Sequence, residues 1–199
     1  MQAYAGMYAY AGMRTDMEQV FGARRCRDTR KPCAEQCPDV TFYRCSTCGA
    51  LFPVTGAEKA EGLEIFCCGK PAEKLEPRRP EEVKEVIEAD YQITGGYNDN
   101  AVKVSWKRKP YGSHPEWVYL KTFTGGYLKY ISDGKRSPVV FALADTDAFC
   151  YCDEDPCLEC VFRCKRGFTA YFYDAEAGLV ELPLDKMTAH WQSGGKAPE

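Results

Sequence analysis

With 199 residues, 28% charged and 45% hydrophobic, the chain has room for one medium domain and a smaller one, and its balance excludes a disordered polymer. A formal charge of −3 excludes a bulk electrostatic pull toward nucleic acid, and the basic runs Arg24 to Arg30, Arg78-Arg79 and Lys165-Arg166 are too short to reverse that. No stretch approaches the ~18 to 20 consecutive apolar residues that span a bilayer, and Met1 to Met13 lacks the early positive charge and greasy core of an export signal, so a soluble, cytoplasmic protein without membrane or nucleic-acid partners is expected.

Twelve cysteines stand against two histidines. The cysteines fall in tight clusters, and near-adjacent cysteines share a metal far more readily than they cross-link to each other. Metal thiolates in a reducing compartment are the expected chemistry.

In chain order, Tyr4 to Met7 and Tyr10 to Met13 form a loose repeat too short for a solenoid. Thr15 with Glu18 makes a capping box, which predicts a short helix with Val20 and Phe21 on its apolar face. Cys26, Cys33 and Cys37 follow, the last before Pro38.

Val40, Phe42 and Tyr43 then predict a strand leading into Tyr43, Arg44, Cys45, Ser46, Thr47, Cys48 and Gly49. Leu63 to Phe66 lead into Cys67, Cys68 and Gly69. Pro77, Arg78, Arg79 and Pro80 read as a stiff linker. Beyond it, short apolar runs recur at Ala101 to Trp106, Trp117 to Phe123, Tyr127 to Ile131, Val139 to Leu143, Phe168 to Tyr173 and Leu179 to Leu182. Turn signals at Gly95-Gly96, Asn98 to Asn100, Gly125-Gly126 and Asp133-Gly134 punctuate them. This pattern predicts a mainly β chain with little helix, ending in an antiparallel β-sandwich.

Within the first cluster, Cys45-x-x-Cys48-Gly49 closes a turn that sets two sulfurs on one side of an ion. Eighteen residues separate Cys48 from the adjacent pair Cys67-Cys68. Four thiolates without histidine select zinc, iron or an iron–sulfur cluster. A zinc ribbon uses two matching Cys-x-x-Cys knuckles, whereas neighbouring ligands must splay widely to reach one ion. Cys45, Cys48, Gly49, Cys67, Cys68 and Gly69 together resemble the desulforedoxin unit, which is also the N-terminal domain of desulfoferrodoxin. The resemblance implies a mononuclear iron held by four cysteines and serving outer-sphere electron transfer, since no ligand position stays open to substrate. A purely structural zinc is the competing reading.

The resemblance continues more weakly into the second half. Val86, Ile87 and Glu88 resemble the segment that opens the superoxide reductase domain of that family. Glu116 to Leu120, Gly125-Gly126 and Tyr127 to Ile131 resemble its tryptophan-bearing strand, turn and returning strand. This implies an immunoglobulin-like sandwich over residues 80–190, after an arm at 1–38 and a metal unit at 39–77. The family's open iron, held by four histidines and a cysteine, does not follow. Only His114 lies near the matching segment, Cys164 is the nearest counterpart of the cysteine ligand, and His190 lies in the tail.

A second cluster packs Cys150, Cys152, Cys157, Cys160 and Cys164 into fifteen residues. Cys157-x-x-Cys160-x-x-x-Cys164 has the local spacing of a loop around an iron–sulfur cluster or zinc. Cys152, Cys157, Cys160 and Cys164 are expected to ligate a second centre, with Cys26, Cys33, Cys37, Cys150 and His114 as additional candidates. The expected function is a desulfoferrodoxin-like electron carrier meeting redox proteins transiently. The family resemblance adds a homodimer. The alternatives are a superoxide reductase with an altered site and a zinc-stabilised interaction module.

Overall fold

The computed structural model describes residues 38–94, 101–108, 114–148 and 165–184. The arm, the helix expected after Thr15, Cys26, Cys33, Cys37, His190 and the whole 150–164 cysteine run lie outside the described residues.

Twelve antiparallel strands carry the described fold. The first unit contains β1 (Val40–Arg44), β2 (Leu51–Thr55) and β5 (Glu73–Leu75), in the order β2-β1-β5. Between them, β3 (Phe66–Cys67) and β4 (Lys70–Pro71) make a miniature hairpin. The second unit is a sandwich. One sheet orders β10 (Val139–Ala142), β7 (Ala101–Arg108) and β6 (Ile87–Thr94). The other orders β12 (Gly178–Pro183), β11 (Thr169–Asp174), β8 (Trp117–Lys121) and β9 (Gly126–Tyr130). The described helical pieces are short 3-10 turns. The mainly β, antiparallel expectation is met.

Strand periodicity explains the two cores. Alternate residues of a strand face opposite sides. Val118 and Leu120 of β8, with Ala170 and Phe172 of β11, point into the sandwich. There they meet Ile87, Ile93, Val102, Val104 and Phe141 from the facing sheet. The intervening Trp117, Tyr119, Tyr171 and Tyr173 point the other way and are buried as well, against Val40 and Phe42 of β1. The four-stranded sheet is therefore covered on both faces, which is why Trp117 to Leu120 reads as an unbroken apolar run. Phe42 sits at the centre, with ring centroids 5.0 Å from Trp117, 5.2 Å from Tyr171 and 5.3 Å from Tyr119.

The stretch expected to be a linker is part of the fabric. The Arg78 N–H donates to the Leu179 carbonyl at 2.9 Å, and the Glu181 N–H donates to the Arg78 carbonyl at 2.9 Å. The Arg78 guanidinium also reaches the Ala177 carbonyl at 3.2 Å. One residue extends the edge of β12, and a 3-10 turn follows at Pro80–Val83. Proline-rich, charged composition marks a surface strand end as readily as a free tether.

A buried ion pair ties the two sandwich sheets. Arg108, closing β7, donates through Nε to Asp174 Oδ2 at 2.5 Å and through Nη2 to Glu176 Oε2 at 3.0 Å. Asp174 also accepts from the N–H groups of Glu176 and Ala177. Burial alone would raise the Asp174 carboxyl, but the Arg108 guanidinium and the two N–H donors outweigh it and hold it below the usual value. The pair's contribution is therefore complete above the unfolded carboxyl range, near pH 4, and is lost as pH falls through the lower folded value. With the side chains only 11% and 3% exposed, Arg108→Met is expected to cost about 3 to 5 kcal/mol at neutral pH, because it strands a buried carboxylate. Urea unfolding from pH 7 down to 3 checks this: the variant's deficit should shrink on acidification, and a constant deficit would contradict it.

Candidate metal centre

Each half of the four-sulfur site is a local turn. After β1 the chain turns through residues 46–48 and returns, with the Cys45 N–H donating to the Ala50 carbonyl and the Gly49 N–H to the Cys45 carbonyl, both at 2.9 Å. Gly49 has φ +73°, a left-handed value that side chains disfavour. This turn aims the N–H groups of Cys48 and Thr47 at the Cys45 sulfur.

The adjacent pair is explained by its hairpin. Cys67 is the last residue of β3 and pairs with Lys70, which leaves Cys68 and Gly69 as a two-residue loop. Both have positive φ, +51° and +74°, the signature of a type I′ turn. A left-handed cysteine costs on the order of 1 kcal/mol, and the turn spreads two consecutive sulfurs around one point. That is the splay that neighbouring ligands require.

All four sulfurs lie within 4.8 Å of one another. Metal–sulfur bonds of ~2.3 Å in a regular tetrahedron put sulfurs ~3.8 Å apart. The separations of 3.6 Å for Cys48–Cys67 and 3.9 Å for Cys67–Cys68 straddle that edge. They are far beyond the ~2.05 Å of a disulfide, and all four cysteines are free. The residues fit a four-coordinate thiolate-bound metal.

Burial is uneven: Cys45 is buried, Cys67 intermediate, and Cys48 and Cys68 exposed. The backbone N–H groups of Cys48 and Thr47 favour the Cys45 thiolate and bring its pKa down to about 6. Cys67 is pushed up to about 12, first by its hydrogen bond to Cys48 and then by that to Cys45. Cys68 is raised too, chiefly by its contact with Cys48. Crowded thiols cannot all ionise without a cation among them, as a site built for a metal ion requires.

Two residues that the motif did not single out fasten this turn to the sandwich. The Arg44 Nη2 donates to both oxygens of Glu116, at 2.8 and 3.1 Å. Its guanidinium also lies 4.7 Å over the Tyr173 ring. The partners are 72 residues apart, so no local pattern announced them. Lys121 pairs with Asp39 at another point of the same junction.

His114 is not part of a ligand cluster among the described residues. Its Nδ1 lies 2.9 Å from the Pro115 carbonyl and its Nε2 3.5 Å from Asp133. Cys150, Cys152, Cys157, Cys160 and Cys164 are outside the described residues, but both flanks of their segment are visible. The buried Lys165 ammonium donates to the carbonyls of Ala148 at 2.9 Å and Asp147 at 3.3 Å.

No known family model matches the sequence. No curated protein matches it either. Among solved structures, the chain is similar to the superoxide reductase from Treponema pallidum, with 18% identity and a TM-score of 0.48 over 72% of this chain and 97% of that one.

Proposed function

We propose that this protein is a non-haem iron electron carrier whose iron is held by Cys45, Cys48, Cys67 and Cys68. One observation carries the reading: four free sulfurs lie within 4.8 Å of one another, with the Cys48–Cys67 and Cys67–Cys68 separations close to a tetrahedral edge. Iron in such a shell supplies a one-electron couple with little ligand movement. The protein fills every position, so small substrates are kept off the metal. The exposed Cys48 and Cys68 bring the centre close to solvent, where a redox protein can approach. We place the protein in the cytoplasm, as a homodimer working with redox partner proteins. We assign a second centre, an iron–sulfur cluster or zinc, to Cys152, Cys157, Cys160 and Cys164, with Cys26, Cys33, Cys37 and Cys150 in reserve.

The test is metal analysis and the visible spectrum of anaerobically purified protein. Stoichiometric iron with a colour that dithionite bleaches and air restores supports electron transfer. Colourless protein with stoichiometric zinc overturns it in favour of a zinc-stabilised interaction module. The quadruple serine variant at 152, 157, 160 and 164 is expected to lose the metal beyond the first equivalent; unchanged content removes the second centre.

A further inference from the structure

Four thiolates outnumber the charge of any divalent ion, so the occupied site is a net anion, and more so when the metal is reduced. A cation near a partly buried anionic centre stabilises its charged state. Arg44 is the last residue of β1, immediately before the buried ligand Cys45. Its side chain folds back along the turn, with Nη2 3.4 Å from the position a Cβ would occupy on Gly49. The guanidinium lies beside Gly49 of the turn and is held by the Tyr173 ring and the Glu116 carboxylate. Glu116 is itself pinned: its N–H donates to the Tyr173 carbonyl at 2.8 Å, and its carbonyl accepts from Ile131 at 2.9 Å.

We infer that Arg44 is the countercation of the four-sulfur centre and that Glu116 regulates how much of that charge the centre feels. The inference concerns the site proposed above, and only its redox arm depends on iron. A cation against the turn stabilises the more anionic, reduced state and so raises the potential. The carboxylate on its far side takes part of that field away. Tyr173 keeps the guanidinium near the turn when Glu116 is neutralised. Side-chain exposures of 27% and 42% leave the pair partly screened, so the effect is moderate and sensitive to salt.

A plain structural strut behaves differently. Breaking a strut from either end loosens the same junction, so both single variants shift the site in one direction. A countercation and its moderator give opposite signs.

The experiment uses the full chain and its Arg44→Gln, Arg44→Lys and Glu116→Gln variants. Zinc affinity is measured by chelator competition, and the midpoint potential of iron-loaded protein by spectroelectrochemistry. Arg44→Gln is expected to weaken zinc binding roughly 3- to 10-fold and lower the potential. Glu116→Gln should tighten binding and raise the potential. Arg44→Lys, which keeps the charge but loses the fork, should stay near wild type. The zinc shifts should shrink between low and high salt. Shifts of one sign in both single variants, or unchanged affinity in Arg44→Gln, overturn the inference. Should the protein take only zinc, electron transfer fails while the zinc arm still decides the role of Arg44.

Discussion

Stripping the metal from the four-cysteine site is expected to lower the thermal midpoint by on the order of 10 °C. The first unit has little core of its own; Val40, Phe42 and Tyr43 are its buried side chains of size, and two of these lean on the sandwich. A folded-state ligand at a thousandfold excess over its dissociation constant contributes about 4 kcal/mol, worth roughly 2 to 4 °C per kcal/mol in a chain of this size. Cys45→Ser should reproduce the loss in the presence of metal, because the turn's N–H groups converge on that buried sulfur. Cys68→Ser, at an exposed position, should cost less. The pH dependence has a definite sign. At pH 7 the metal-free site holds Cys45 largely as thiolate and Cys67 and Cys68 as thiols, so binding expels protons. Affinity must therefore fall as pH falls, and more steeply below about 6, where Cys45 also protonates. Calorimetric melts with and without metal, and affinities from pH 5.5 to 8, test this. Identical melts, or affinity independent of pH, would sink it.

Phe42→Ala is expected to cost about 3 to 5 kcal/mol, the range for emptying a buried aromatic site. The ring is almost wholly buried and meets three aromatic rings of the opposing sheet. Because Phe42 lies three residues before Cys45 on β1, the cavity should also loosen the first turn, and zinc affinity should fall along with stability. Phe42→Leu, which keeps most of the volume, should recover a large part of both. Denaturant unfolding paired with zinc competition reads the two effects. A stability loss with unchanged affinity would show that the cavity at Phe42 does not reach the cysteine turn.

The four-cysteine cluster was legible because its geometry is local. Cys45 and Cys48 share one turn, Cys67 and Cys68 share another, and each turn ends in a glycine whose left-handed φ closes it. Most sandwich strands were legible for the same reason: alternation within eight residues finds β7, and short apolar runs set off by the Gly125-Gly126 turn find β8 and β9. Leu51–Thr55 and Glu73–Leu75 were not. Their side chains are mostly exposed or half-buried, and Pro53 interrupts the first, so neither shows a periodic apolar face.

By itself, then, the order of residues determined four converging sulfurs, an antiparallel β class and, within these 199 residues, only two histidines where a four-histidine centre needs four. Turn chemistry and strand period act over a handful of neighbours, and composition needs no geometry at all. Only the tertiary structure decided that the metal turn docks on the sandwich, that Arg78 joins a sheet edge rather than spanning a gap, and that Glu116 faces Arg44. Those contacts join residues 72 and more positions apart. Their pairing depends on which faces of which sheets are buried together, and no local run of side chains encodes that.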